Sequence, residues 1–203
     1  MIPNIIHNFK DNGRYNNILH QMKSQEIKHY NLIEAEMIQK HPIRGIVRSH
    51  KKIVQTAKDV GNGSVLIAED DLNFLCQGAY STFLNLSRQL PDDWNLFLGG
   101  FYDANPVSIT DQIAKLEGKL SGLHFYLINQ NFYDTFLNAD ENYNLDYWLS
   151  APEFGNCVAY ATYPMLCIQN DGYSYNIGAH TKYNEGLRAR YKLISNKEFL
   201  TKQ

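Results

Sequence analysis

Ser64-Val65-Leu66-Ile67-Ala68-Glu69-Asp70-Asp71 passes from four consecutive apolar residues into three consecutive acids. An apolar run without polar alternation is the pattern of a strand covered on both faces, as in a sheet flanked by helices. Ligands of open α/β sheets bind beyond the carboxyl ends of the strands, which is where these acids stand. Adjacent carboxylates repel unless a cation or protons neutralise them. Strand alternation would put Glu69 and Asp71 on one side and Asp70 on the other. Such a pair can hold a hard divalent ion, Mn2+ or Mg2+, through oxygen, with positions left for phosphate and water. The plainer reading is a polar strand end whose acids cap the next helix or meet solvent.

Working upstream, Ile2-Pro3-Asn4-Ile5-Ile6 reads as a strand entering the polar loop His7 to Gly13. Tyr15, Ile18, Leu19 and Met22 recur at helical spacing. Residues 30–33 suggest a second strand, and Ser49 stands as N-cap of a helix carrying Ile53, Val54, Ala57 and Val60, stopped by Gly61-Asn62-Gly63. Downstream, Tyr80, Phe83, Leu84 and Leu90 predict a helix broken at Pro91, before the strand Trp94 to Leu98 and Gly99-Gly100. The stretch 101–118 lacks periodicity and is expected to be a mobile loop. A strand over 123–128, a helix over 132–137 and β structure over 157–168 interrupted at Pro164 complete the pattern. The alternation through the first half predicts an α/β chain. With no repeat or low-complexity linker, one domain over 1–203 is expected.

The 203 residues are 44% apolar and 20% charged, which excludes disordered, collagenous and coiled-coil classes. A net charge of -2 leaves no global basic field for nucleic acid. Cys76, Cys157 and Cys167 are odd in number, lack metal-type spacing and follow no secretory signal, so reduced thiols and a cytoplasmic location are expected. From about residue 180 the tail is locally basic, with Lys182, Arg188, Arg190, Lys192, Lys197 and Lys202 against Glu185 and Glu198. Such a tail would suit phosphate or peripheral contact with an anionic inner-membrane face; a solvated terminus is the plainer alternative.

Several segments taken together resemble glycosyltransferase family 25, the lipopolysaccharide-type and collagen-type sugar transferases. The segments are Ile5 through Asn8, Arg14 and Ile33-Glu34-Ala35; Arg44 to His50 with its serine-histidine pair; and Val65 to Phe74 with the acidic motif. Trp94 to Gly99, Tyr126-Leu127-Ile128, Leu145-Asp146 and Pro164 to Gln169 follow in the family's order. The resemblance spans most of the chain. It implies a GT-A-like nucleotide-diphospho-sugar transferase fold with a mixed central sheet flanked by helices, a nucleotide-sugar donor such as UDP-galactose or UDP-glucose, a divalent metal, and transfer with inversion to a glycan or glycolipid precursor.

Glycosyl transfer gives the residues their expected roles. Glu69 and Asp71 would hold the metal that stabilises the departing pyrophosphate. His180, in Gly178-Ala179-His180, stands where a third ligand arrives in related GT-A enzymes. Asn8, Arg14, Ser49, His50 and Asp70 would form the donor site, with Arg14 pairing with phosphate. Asp146, in Asn144-Leu145-Asp146-Tyr147-Trp148, is the expected base for the acceptor hydroxyl, beside aromatic rings that could stack on a sugar. Asp140 and Glu153 are reserve bases. Metal-dependent hydrolysis of phosphate or sugar esters, and non-catalytic nucleotide or glycan binding, are the alternatives for the same acids.

Overall fold

The computed structural model describes residues 1–174, 177–185 and 187–194. In chain order its elements begin with β1 (Asn4–His7), α1 (Asn12–Ser24), β2 (Asn31–Glu34), α2 (Pro42–Asp59), β3 (Ser64–Glu69), β4 (Leu72–Phe74) and α3 (Ala79–Leu86). There follow β5 (Leu96–Leu98), β6 (Asp103–Ser108), β7 (Ile113–Ser121), β8 (Phe125–Asn129), α4 (Tyr133–Leu137) and α5 (Leu145–Ser150). The last are β9 (Ala159–Thr162), β10 (Cys167–Gln169), β11 (Gly172–Ser174), β12 (Ala179–Thr181) and α6 (Leu187–Arg190).

Eight strands make one mixed sheet in the order β2-β1-β3-β8-β5-β9-β7-β6. β1 lies between β2 and β3 and is parallel to both. The helical crossovers α1 and α2 supply the long connections that parallel neighbours require. Beyond β3 the pairing is antiparallel to β8, and β8 is antiparallel to β5. Pairs β4·β10 and β11·β12 lie outside the large sheet.

The apolar run of β3 explains why the sheet is central. Val65 and Ile67 pack on one face with Val47, Ile53, Val54 and Ala57 of α2. Leu66 and Ala68 pack on the other with Ile18 and Met22 of α1 and Phe83 of α3. Strand β8 divides in the same way, with Tyr126 and Ile128 on the α2 side and Phe125 and Leu127 on the other. Each large side chain so buried contributes about 1.5–3 kcal/mol from removal of apolar area alone.

Two expectations are corrected. Ser49 is not an N-cap: α2 starts at Pro42, with His41 as N-cap, and Ser49 is fully buried within the helix. Its hydroxyl donates to the Gly45 carbonyl at 2.7 Å and accepts from the Glu36 amide at 2.8 Å. Proline at the first helical position already supplies a start, and Val47 carries the apolar face back past the serine. Gly45 permits the close fit, since a Cβ there would lie 2.0 Å from the Glu36 carbonyl oxygen.

The stretch 101–118 is no loop but most of the β6–β7 hairpin at the sheet edge. Its exposed outer strand has little reason to show an apolar stripe, and Pro106 is compatible with an edge. Of the basic tail, Lys197, Glu198, Lys202 and the Arg188 side chain lie outside the described residues. Lys182 and Arg190 lie 3.9 Å from Glu185 and Asp103, respectively. Among the described residues no helix is long and apolar enough to cross a membrane.

Candidate functional site

The parallel strands β1 and β3 end side by side, with Ile6 opposite Glu69. The extended backbone stops there, and Asp70 and Asp71 occupy the turn before β4. Strand alternation, expected from the sequence to set Asp70 apart from Glu69 and Asp71, therefore does not separate the acids. The turn gathers all three on a cleft of about 870 Å³. Arg14, in the first turn of α1, pairs with Asp70 and lies 3.2 Å from Asp71 Oδ2.

The three carboxylates differ in their partners. Asp70 Oδ2 lies 2.9 Å from His7 Nδ1 and also accepts from the Asn8 amide at 3.4 Å. Asp71 Oδ2 accepts from Gln169 Nε2 at 2.7 Å, while its buried Oδ1 has no hydrogen-bond partner among the described residues. Glu69 Oε1 lies 3.3 Å from His50 Nε2, and His50 Nδ1 lies 2.6 Å from the Tyr126 hydroxyl. This line Tyr126–His50–Glu69 orients the Glu69 carboxyl from inside the core.

Burial and mutual repulsion shape the electrostatics. Burial, then Asp70 and Asp146, push the Glu69 pKa up to about 8 against the pull of Arg14. Burial, then Glu69, push Asp71 up to about 7, opposed by Arg14 and the Gln169 hydrogen bond. Burial lowers His50 to about 4, so its imidazole is neutral. For Arg14 burial acts downward, but Asp71, Asp70 and Glu69 more than reverse it and the guanidinium stays charged. Two destabilised carboxylates, one with a bare buried oxygen, are groups that would gain from a hard cation.

Asp146 lines the same cleft. It is both a carboxylate in the first turn of α5 and a cleft-wall group, accepting from the Gly122 amide at 3.2 Å and the Tyr147 amide at 2.9 Å. Gly122 holds φ +102°, and a Cβ there would meet the Tyr102 ring at 2.8 Å, so glycine is needed where this amide turns toward Asp146. Asn8, Arg14, Ser49, His50, Glu69, Asp70 and Asp71 also line the cleft. Three expected groups do not. His180 is exposed on β12, its ring edge-on to Tyr173 at 5.7 Å. Asp140 accepts from the Asn142 amide at 2.8 Å, and Glu153 lies 3.4 Å from the Tyr147 hydroxyl. No group of three His, Cys, Asp or Glu side chains among the described residues is arranged to hold a metal, and the carboxylates lining the cleft include Glu69, Asp70, Asp71 and Asp146.

Sequence reasoning missed His7, Tyr126 and Gln169 as site residues. His7 sits at the end of β1, adjacent to the acid-bearing strand, a position that could have drawn notice. Gln169 could not be found that way, because it reaches Asp71 only through the pairing of β10 with β4.

The shifts make a pH prediction. Raised carboxylate pKa values mean that the folded protein holds protons the unfolded chain has lost, so stability falls as pH rises through that window. His50 acts oppositely, its depressed value adding stability as pH rises from about 4 to about 6.5. Two carboxylates outweigh one imidazole, so in chelator-treated protein the urea midpoint should fall from about pH 5 to about pH 8, most steeply near neutrality. A midpoint that rises across this range would contradict the raised carboxyl pKa values of Glu69 and Asp71.

No protein-family model matches the chain, and no curated protein matches it. Among solved structures, a glycosyltransferase involved in glycosylation of the major capsid of PBCV-1 is similar at TM-score 0.49 and 10% identity, over 91% of this chain and 97% of that one. A Drosophila galactosyltransferase 7 mutant in complex with manganese, UDP-Gal and xylobiose is similar at TM-score 0.45 and 10% identity, over 99% and 79% of the two chains. An apo UDP-glucose pyrophosphorylase is similar at TM-score 0.44 and 10% identity, over 94% and 81%.

Proposed function

We propose that this chain is a glycosyltransferase of the family 25 kind that takes a hexose from a nucleoside diphosphate sugar, UDP-galactose or UDP-glucose, to a hydroxyl of a glycan or glycolipid precursor. The observation that carries the reading is the bare, buried Asp71 Oδ1 beside Glu69, in a cleft also walled by Arg14 and Asp146. Glu69 and Asp71 would hold Mn2+ or Mg2+, which when bound supplies positive charge to the departing pyrophosphate. Arg14 adds a second, permanent positive charge at the same end of the cleft. His50, braced by Tyr126, fixes the Glu69 carboxyl. Asp146 accepts the proton of the attacking hydroxyl late in the displacement, which, as a single attack from the opposite side, inverts the sugar carbon. One domain, a cytoplasmic setting and a basic tail touching an anionic membrane surface belong to the same proposal, as does a lipopolysaccharide-type acceptor.

One observation favours a second reading. Arg14 already neutralises Asp70 and Asp71, as it would in a nucleotide or glycan binder without metal or turnover. A thermal-shift panel of UDP, GDP and CMP with and without manganese separates them. At about 100 times Kd, a ligand stabilises by about 2.7 kcal/mol, or roughly 5–10 °C in a chain of this size. UDP with manganese should produce that shift and UDP alone much less. An equal shift without manganese, with no sugar transfer, would favour the binder; stabilisation by GDP or CMP alone would refute the donor class.

A further inference from the structure

We infer that the segment Asn138–Asn156, beside the cleft, forms an aromatic platform for the pyranose rings of a neutral glycan, the acceptor side of the site proposed above. Tyr143, Tyr147 and Phe154 are 40%, 36% and 38% exposed and lie together on this surface. Tyr143 and Phe154 have ring centroids 5.1 Å apart, and Tyr147 lies 6.4 Å from each. Tyr147 also lines the cleft and is the residue after Asp146, so the platform is continuous with the candidate base.

The platform is held rigidly. Phe154 stacks on the buried Trp148 at 6.0 Å and 7° between planes. The turn that carries it folds back on α5 through Gly155 N to Trp148 O at 2.9 Å and Asn156 N to Ala151 O at 3.1 Å. A Cβ on Gly155 would come within 2.7 Å of the Leu149 backbone, so glycine permits this closeness. Rings fixed before binding lose little conformational freedom when a ligand arrives.

Charge selects the occupant. Residues 138–156 contain Asp140, Glu141, Asp146 and Glu153 but no lysine or arginine; from α2, Arg48 pairs with Glu141 and Arg44 with the Asn142 side-chain oxygen, so the acidic character rests on Asp140, Asp146 and Glu153. An acidic rim disfavours phosphate esters and anionic lipid head groups. A pyranose suits both features, because one face presents C–H groups to aromatic rings while its hydroxyls can donate to carboxylates.

This assignment rests on the transferase reading, and the test separates the two. Saturation-transfer NMR would use methyl glycosides of glucose, galactose, mannose and N-acetylglucosamine at millimolar concentration, with UDP and manganese present to fill the donor side. At least one glycoside should receive saturation, with Tyr143→Ala and Phe154→Ala each weakening its binding by about tenfold. Phe154→Tyr, which keeps the ring, should retain it, and the thermal shift with UDP should be unchanged in all three variants. The platform is overturned if no glycoside is saturated, or if Phe154→Ala and Tyr143→Ala bind as wild type. It is also overturned if glycerol phosphate competes better than any glycoside, or if the variants alter only self-association in sedimentation. Failure of UDP to shift the melting temperature in wild type would instead remove the donor proposal, leaving glycoside binding to be read on its own.

Discussion

Asp146→Asn should lower sugar-transfer turnover by about 10²–10⁴-fold while leaving UDP affinity nearly unchanged, because a general base acts in the transition state and not in donor binding. Asparagine is nearly isosteric but cannot take the hydroxyl proton. The change also has a structural cost that must be measured. The two carboxylate oxygens accept from Gly122 N and Tyr147 N, and an amide has only one oxygen, so one of these bonds is lost at about 1 kcal/mol. Turnover should therefore be compared at a temperature well below the melting point of both proteins, with donor binding scored separately by thermal shift. Near-normal turnover would exclude Asp146 as the base; loss of UDP binding together with turnover would make it a donor-site or folding residue instead.

Asp71→Asn should abolish the manganese-dependent part of UDP binding, and Glu69→Gln should do the same, since each replaces a charged oxygen ligand with a neutral amide of similar size. The variants should also be more stable than wild type in the absence of metal. Wild type keeps two carboxyls whose charged forms burial disfavours, with pKa values pushed to about 7 and about 8, and the amides remove that cost near neutral pH. Gain of metal-free stability with loss of metal response is a signature that simple misfolding would not give. A manganese response in Asp71→Asn equal to that of wild type would remove the cation from the proposed chemistry. Asp70→Asn should behave differently, losing stability, because Asp70 is joined to His7 and Arg14.

The elements legible from sequence were those whose signal is local and strong. Four apolar residues without a break identified β3, and the spacing of Ile53, Val54 and Ala57 identified the second half of α2. The β6–β7 hairpin escaped because an edge strand facing water need not alternate. The true start of α2 escaped because a serine ahead of an apolar run looks like a cap whether or not a proline seven residues earlier has already begun the helix.

At the site, the strand-end position selected Glu69 and Asp71, the family resemblance added Arg14, His50 and Asp146, and these five line one cleft. His180, taken as a third ligand by analogy with related GT-A enzymes, shows the limit of that reasoning: it is exposed on β12 and does not line the cleft, because a resemblance of segments carries no information about which way a strand turns. By itself the sequence determined the helix–strand alternation, the apolar strand at the centre and the acids at its end, because periodicity and burial preference act over a few neighbouring residues. Only the tertiary structure decided that Asp70 is paired while Asp71 keeps a bare oxygen, that His50 is neutral, and that Gly122 delivers an amide to Asp146. Those outcomes depend on desolvation and on partners 24 to 98 residues away along the chain, which only the packed sheet brings within hydrogen-bond reach.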